Sequence, residues 1–241
     1  MWSSESPPSR HTLEQISAAL PELDLTAPGL VAAELFLKSD PVQRYLDFYR
    51  INFSVEFPHL NHHFGGFQAG GFRVACHVWR PTKPENPDTM LGTVWLQHGY
   101  TDHVGVCQHA IRWLLQQGYS VVCFDLPGHG LSSGQQACIQ SFDQYRDVLA
   151  ESVRKCQDAM PKPWHAVGQS TGCAVILNFL KNSPDASSFE RVVLLAPLIR
   201  AKGWGSLRWS FYVLRLFKKR LKRTFTSNSH DLEFLDFLAL R

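Results

Sequence analysis

Between residues 62 and 200 the chain alternates between two textures. Four short runs, Thr93 to Gln97, Ser120 to Asp125, Trp164 to Gly168 and Arg191 to Ala196, are mostly apolar, with consecutive apolar residues rather than strict alternation. They are too short for helices and rich in Val, Leu and aromatics, so they read as buried strands. Between them lie Val104 to Gln117, Phe142 to Met160 and Thr171 to Lys181, whose apolar positions recur with helical spacing. Continuous apolar strands separated by helices predict a parallel sheet with helices on both faces. Two more strands precede these. Phe64 to Phe67 and Phe72 to Trp79 flank the turn signal Gln68-Ala69-Gly70-Gly71. In the second, Phe72, Val74, Cys76 and Val78 alternate with Arg73, Ala75, His77 and Trp79, the period of a strand with two different faces.

Outside this stretch the pattern changes. Residues 1–10 read as a mobile tail, and helical spacing returns in Leu30 to Lys38 and Val42 to Arg50. From residue 201 the alternation stops. Ala201 to Arg223 is aromatic and basic, and Ser229 to Leu240 reads as a short amphipathic helix capped by Ser229. The expected organisation is an N-terminal, partly helical extension over 1–60, a six-stranded α/β core over 61–200, and the start of a basic, aromatic cap over 201–241.

Composition adds little to this and charge adds more. The 241 residues are 44% apolar and 19% charged, which suits a folded domain and argues against disorder. The net charge of +3 hides an asymmetry: residues 191–230 hold ten Lys or Arg and no acid, leaving 14 basic against 21 acidic residues elsewhere. A charge run alone is not a fold that reads bases, so nucleic acid is not the expected partner. Trp204 to Arg223 interleaves Trp204, Trp209, Phe211 and Tyr212 with Arg208, Arg215, Lys218 and Lys219. Such a cap segment either packs its aromatics on the core or touches an anionic membrane as a peripheral contact. No run reaches the ~18 apolar residues of a membrane span, and no secretory signal is visible at the start. The six cysteines (76, 107, 123, 138, 156 and 173) form no C-x-x-C pair. They are expected as buried or half-buried thiols in a cytoplasmic protein. His59, His62 and His63 lack the convergent partners a metal needs, and are expected as strand-edge residues with no metal or other cofactor.

The chemistry concentrates in three loops that follow strands. Gly168-Gln169-Ser170-Thr171-Gly172 joins a strand to a helix. A serine there stands on a sharp turn, with its hydroxyl at the carboxyl end of the sheet and the positive end of the following helix beneath it. Ser170 is the candidate nucleophile. Acyl transfer from such a serine passes through an oxyanion that two backbone N–H groups can hold. Thr171, the next residue, offers one, and Tyr100 in His98-Gly99-Tyr100-Thr101-Asp102-His103 offers the other. In the third loop, Asp125 to Gly134, Asp125 and His129 read as groups that brace a compact turn, and Cys173 as a small packing residue.

In their order and strand context, HGYTDH at 98–103, DLPGHGLSSG at 125–134 and GQSTG at 168–172 resemble the α/β-hydrolase superfamily. More narrowly, they resemble its monoglyceride lipase, lysophospholipase and serine-aminopeptidase-like branch. The resemblance spans about residues 62–200. It implies a mostly parallel sheet, a helical cap and hydrolysis of carboxylic esters of lysophospholipid or monoacylglycerol type without a cofactor. It also implies that Asp102 and His103 support the oxyanion loop. A peptidase or acyltransferase on the same scaffold, or a non-catalytic binding protein, remains the alternative. In that family the triad acid and histidine follow the cap, after the last two strands. Here the one histidine beyond Ser170 is His230, adjacent to Asp231, and it reads as an exposed cap residue. The expectation is therefore a fragment lacking the last strands, with Asp and His beyond residue 241. Without a base a serine is a weak nucleophile, and without its last strands the sheet bares an edge, so 1–241 alone is expected to have little or no esterase activity and to fold poorly.

Overall fold

The computed structural model describes residues 7–25, 27–82 and 91–198. The expected cap, the basic stretch 204–223, the helix at 229–240 and His230 lie outside the described residues. The chain divides into two compact units, Met1–Pro197 and Leu198–Arg241, and every element below belongs to the first.

Three helices come first: α1 (Arg10–Ala19), α2 (Ala27–Leu37) and α3 (Asp40–Phe48). The first falls where the sequence pattern predicted a tail running into mixed structure. Its start is fixed by Ser9, whose Oγ accepts the Thr12 amide at 3.1 Å. Ser39 precedes α3, with Pro41 in its first turn, where a missing N–H costs nothing. The sheet then runs β1 (Leu60–Ala69), β2 (Phe72–Pro81), β3 (Thr93–Gln97), β4 (Ser120–Phe124), β5 (Trp164–Gln169) and β6 (Arg191–Leu195). Helices α4 (Gln108–Gln116), α5 (Asp143–Cys156) and α6 (Thr171–Asn182) connect the parallel part. A short 3-10 turn, Val104–Cys107, leads into α4, so the segment read as one helix is two.

The strand order is β1-β2-β4-β3-β5-β6. β1 and β2 form a hairpin ten residues long, and β2 runs antiparallel to β4; the remaining neighbours are parallel. Only Gly70 and Gly71 separate the hairpin strands, with φ of 57° and 84°. That backbone matches the strand twist and is strained for any residue with a side chain. The outer edge of β1 is occupied. Gly66 donates to the Pro21 carbonyl and accepts the Leu23 amide, both at 2.7 Å. A Cβ at Gly65 would sit 3.0 Å from the Leu23 Cα, so a glycine there lets this strap lie flat on the edge.

Both faces of the central sheet are covered. On one, Phe67, Val74, Cys76, Val78, Trp95, Val122, Phe124 and Ala166 meet Val148, Leu149 and Val153 of α5 and Ile176 and Phe179 of α6. On the other, Ala75, His77 and Trp79, which alternate with the first set along β2, are fully buried. The N-terminal region covers them: Tyr45 of α3 stacks on Phe64 and His77, and Phe53 meets the Trp79 ring edge-on. On this face His62 and His77 are hydrogen-bonded through Nε2 and Nδ1 at 2.9 Å. Their rings continue a stack with Phe64 and Trp79. His62 and His63 thus lie on the edge strand β1, as expected, but packed rather than open: His63 is buried and His62 keeps only partial solvent contact. Burial lowers the pKa of His62 to about 3, helped by the neighbouring His63, and lowers those of His63 and His77. At the other end of the sheet, Val193 and Leu195 of β6 are about half exposed.

Of the six cysteines, 76, 123, 156 and 173 are buried, Cys107 is half-buried and Cys138 is exposed. No helix among the described residues is long and apolar enough to cross a membrane.

Candidate functional site

Ser170 sits between β5 and α6 with φ 49° and ψ −109°, a conformation that ordinary L-residues avoid. Several contacts hold it there. The Ser170 amide donates to the Leu195 carbonyl at 2.9 Å, extending the β5–β6 pairing past the end of the strand. Its own carbonyl accepts the Cys173 amide at 3.2 Å, and the Cys173 thiol reaches the carbonyls of Gly168 (3.0 Å) and Leu195 (3.2 Å). The two flanking glycines are demanded by crowding. A Cβ at Gly172 would lie 2.3 Å from the Gln97 carbonyl oxygen and 2.7 Å from that of His98. One at Gly168 would lie 2.8 Å from the Cys173 nitrogen. Neither backbone neighbour can swing away as a side chain would. Strand, turn and helix are thus pressed together until the serine is pushed out, half-buried, at the carboxyl edge of the sheet.

The 98–103 loop follows β3, the neighbour of β5, and lies against this turn. A Cβ at Gly99 would sit 3.5 Å from the Ser170 Cβ and 2.9 Å from the Asp102 Oδ2. Gly99 therefore allows the loop to rest on the serine. Thr171 is the first residue of α6, where backbone N–H groups have no partner within the helix. Tyr100, one residue beyond Gly99, is half-buried, and its hydroxyl donates to the Ala137 carbonyl at 3.1 Å. The fold thus brings the loops of Ser170, Thr171 and Tyr100 to one end of the sheet.

Asp125 and His129 bond to the loops around them. The wholly buried Asp125 carboxylate accepts the amides of Val104 and Leu131, both at 2.8 Å. The His129 Nδ1 lies 3.0 Å from the Pro127 carbonyl. His98 accepts the Leu126 amide on Nε2 at 2.9 Å, so its proton sits on Nδ1, 2.8 Å from the Gly99 carbonyl. His103 turns its Nδ1 to the Gly105 amide at 3.1 Å and packs its ring against Tyr49 at 4.6 Å. The bracing role of His98, inside the 98–103 motif, escaped the sequence reading. A histidine directly after a buried strand was its available sign. Among the described residues no cluster of three or more His, Cys, Asp or Glu is placed to hold a metal.

The sequence family described as serine aminopeptidase, S33, matches residues 88–236. Over 142 residues the chain is 28% identical to a monoacylglycerol lipase of Mycolicibacterium smegmatis, a match covering 58% of this chain and 47% of that protein. It is 26% identical to the phospholipase YtpA of Bacillus subtilis over 43% of this chain and 38% of the relative. The chain therefore spans about half the length, or less, of these curated relatives. Among solved structures, a monoglyceride lipase of Saccharomyces cerevisiae superposes with a TM-score of 0.55. The identity is 16%, and the match covers 70% of this chain and 56% of the other. The α/β hydrolase GrgF of a Penicillium species gives 0.53 at 15% identity, covering 66% and 54%. At such identities the superpositions establish the α/β-hydrolase fold.

Proposed function

This chain belongs to the serine aminopeptidase S33 family of α/β-hydrolases, and on that premise we propose that it is a serine hydrolase of small lipid esters. Ser170 is the nucleophile. It attacks the acyl carbonyl, and the N–H groups of Thr171 and Tyr100 receive the developing oxyanion. The tetrahedral adduct collapses, the ester C–O bond breaks and the alcohol leaves with the proton given up by the serine; water then cleaves the acyl-serine, releasing the fatty acid and restoring the hydroxyl. The observation that carries this reading is the strained Ser170 backbone: a non-glycine residue at φ 49° between two glycines that nothing larger could replace. Packing Gly99 against it supports the second donor. No metal or organic cofactor is assigned a step.

The substrate class is a monoacylglycerol- or lysophospholipid-like ester. The names of the sequence relatives, a monoacylglycerol lipase and a phospholipase, support this choice. The residues that activate Ser170 as general base and acid are sought, by the family resemblance, after the cap. Within the same reading, the basic and aromatic segment 204–223 touches the anionic lipid surface that supplies the substrate. Binding to vesicles of phosphatidylserine and phosphatidylcholine that falls as salt rises is the expected result; weak, salt-independent binding contradicts the membrane contact.

The decisive test uses the protein isolated from its native host. A fluorophosphonate probe should label it on the peptide carrying Ser170, and the same preparation should release fatty acid from a monoacylglycerol or a lysophosphatidylcholine. Both should vanish in Ser170→Ala. A folded protein that stays unlabelled, or is labelled elsewhere, overturns the assignment and favours a non-catalytic binding role.

A further inference from the structure

We propose that Asp125 is a positioning residue that sets the oxyanion loop, acting across the sheet end from the next strand. The proposal rests on the reading of Tyr100 and Thr171 as oxyanion donors. Residues 98–104 have two ends, and both are pinned from the loop after β4. At the first end the Leu126 amide donates to His98 Nε2 at 2.9 Å. At the second the Val104 amide donates to Asp125 Oδ1 at 2.8 Å. Gly99, Tyr100 and the positive-φ residue Thr101 (φ 70°) hang between the pins. A third tether, the Tyr100 hydroxyl on the Ala137 carbonyl, comes from the same downstream loop. Ala137 in turn donates its amide to Gly128 at 2.9 Å.

The carboxylate fits this role better than any neutral isostere. Both of its oxygens are used, Oδ1 by Val104 and Oδ2 by Leu131, and it has no solvent contact. An asparagine has one acceptor oxygen, so its NH2 would face one of these two N–H groups and one pin would be repelled. The space around the carboxylate is closed as well: a Cβ at Gly130 would lie 2.1 Å from Oδ2. A group held this way keeps one position, and the loop it holds keeps the Tyr100 amide at a fixed height above Ser170. An oxyanion donor must lie within a few tenths of an ångström of the developing charge, and a shift of about 1 Å costs on the order of a hundredfold in rate.

Two variants remove the pin from opposite sides. Asp125→Asn alters the acceptor. Val104→Pro deletes the donor at the first position of the 3-10 turn, where proline is tolerated, after His103 whose backbone (φ −157°, ψ 176°) suits a residue preceding proline. Hydrogen exchange should quicken in residues 98–107 by tenfold or more in both variants, with 164–182 unchanged. Turnover should fall about ten- to a hundredfold in kcat with KM held, and the double variant should lose no more than the worse single one. Unchanged exchange in 98–107 overturns the proposal, as does faster exchange spread evenly over the whole chain with kcat and KM changing together. If the unaltered protein isolated from its native host shows neither labelling nor turnover, the hydrolase reading fails, while the exchange arm still decides whether Asp125 holds the loop.

Discussion

Acidification should weaken this domain through two stacked imidazoles, one buried and one half-buried, in a pH range where its carboxylates are still ionised. His62 and His77 are hydrogen-bonded to each other between β1 and β2 and stacked among Phe64, Trp79 and Tyr45. Burial holds the folded pKa of His62 near 3 and lowers that of His77 as well. An unfolded chain titrates histidine near 6.5. Below pH 6.5 the unfolded state therefore binds protons that the folded state refuses, and stability falls as pH falls. The contribution is complete above pH 6.5 and is lost progressively towards pH 3. At pH 5, 1.5 units below the unfolded value, His62 alone is worth about 2 kcal/mol. Its partial solvent contact trims that to about 1–2 kcal/mol, and His77 adds a term of the same sign. Against a typical total of about 5–15 kcal/mol this is a large fraction. The assay is urea unfolding at pH 7 and pH 5 for the unaltered chain, His62→Phe and His77→Phe. Phenylalanine keeps the ring stack and cannot titrate, so each variant should lose part of the pH dependence whatever its absolute stability. A fall between pH 7 and 5 that is identical in all three proteins refutes the reasoning.

Other consequences concern the Ser170 turn and the sheet edge. Ser170→Gly should unfold at higher urea than Ser170→Ala, because glycine relieves a backbone conformation worth about 1–3 kcal/mol of strain; equal midpoints argue that Ser170 is unstrained. Gly172→Ala forces a methyl onto two backbone carbonyls and should cost about 3 kcal/mol or more. Gly71→Ala, with nothing within 4 Å, should cost only the left-handed penalty of about 1–2 kcal/mol in the same melts. Gly65→Val should push the Pro21–Leu23 strap off β1, seen as faster exchange of the Leu23 and Gly66 amides and as aggregation through the bared edge.

How much of this could be read in the sequence depends on the range of the interaction that fixes each element. β3 was legible residue for residue, because a short run centred on Val94, Trp95 and Leu96 and bounded by Gly92 and His98 leaves no other reading. The hairpin was legible because Gly70-Gly71 specifies its own turn, although β1 begins at Leu60, before the apolar run. α1 was missed because it has little apolar face of its own; only Ile16 is buried, and its start depends on the local Ser9 cap. The burial of the second face of β2 was not legible, for a non-local reason. His77 is buried by Tyr45, a residue 32 positions earlier on a helix whose docking no strand pattern announces.

The candidate site divides along the same line. Ser170 carries its own signal, since a serine between two glycines at a strand–helix junction is a local object. What makes the position usable is distributed. Gly172 is required by the carbonyls of β3 and its following loop, Ser170 is tied by its amide to β6, and Gly99 is small because Ser170 lies against it. Asp125 and His98 read as a turn brace and a motif residue, yet each bonds a backbone amide on the other loop, 21 and 28 residues away. In such a site the reacting atom is encoded locally and its geometry is encoded by the sheet. Changes at Asp125, Val104 or Gly172 should therefore impair the chemistry of Ser170 while leaving the pentapeptide around it recognisable, or nearly so, as a nucleophile motif.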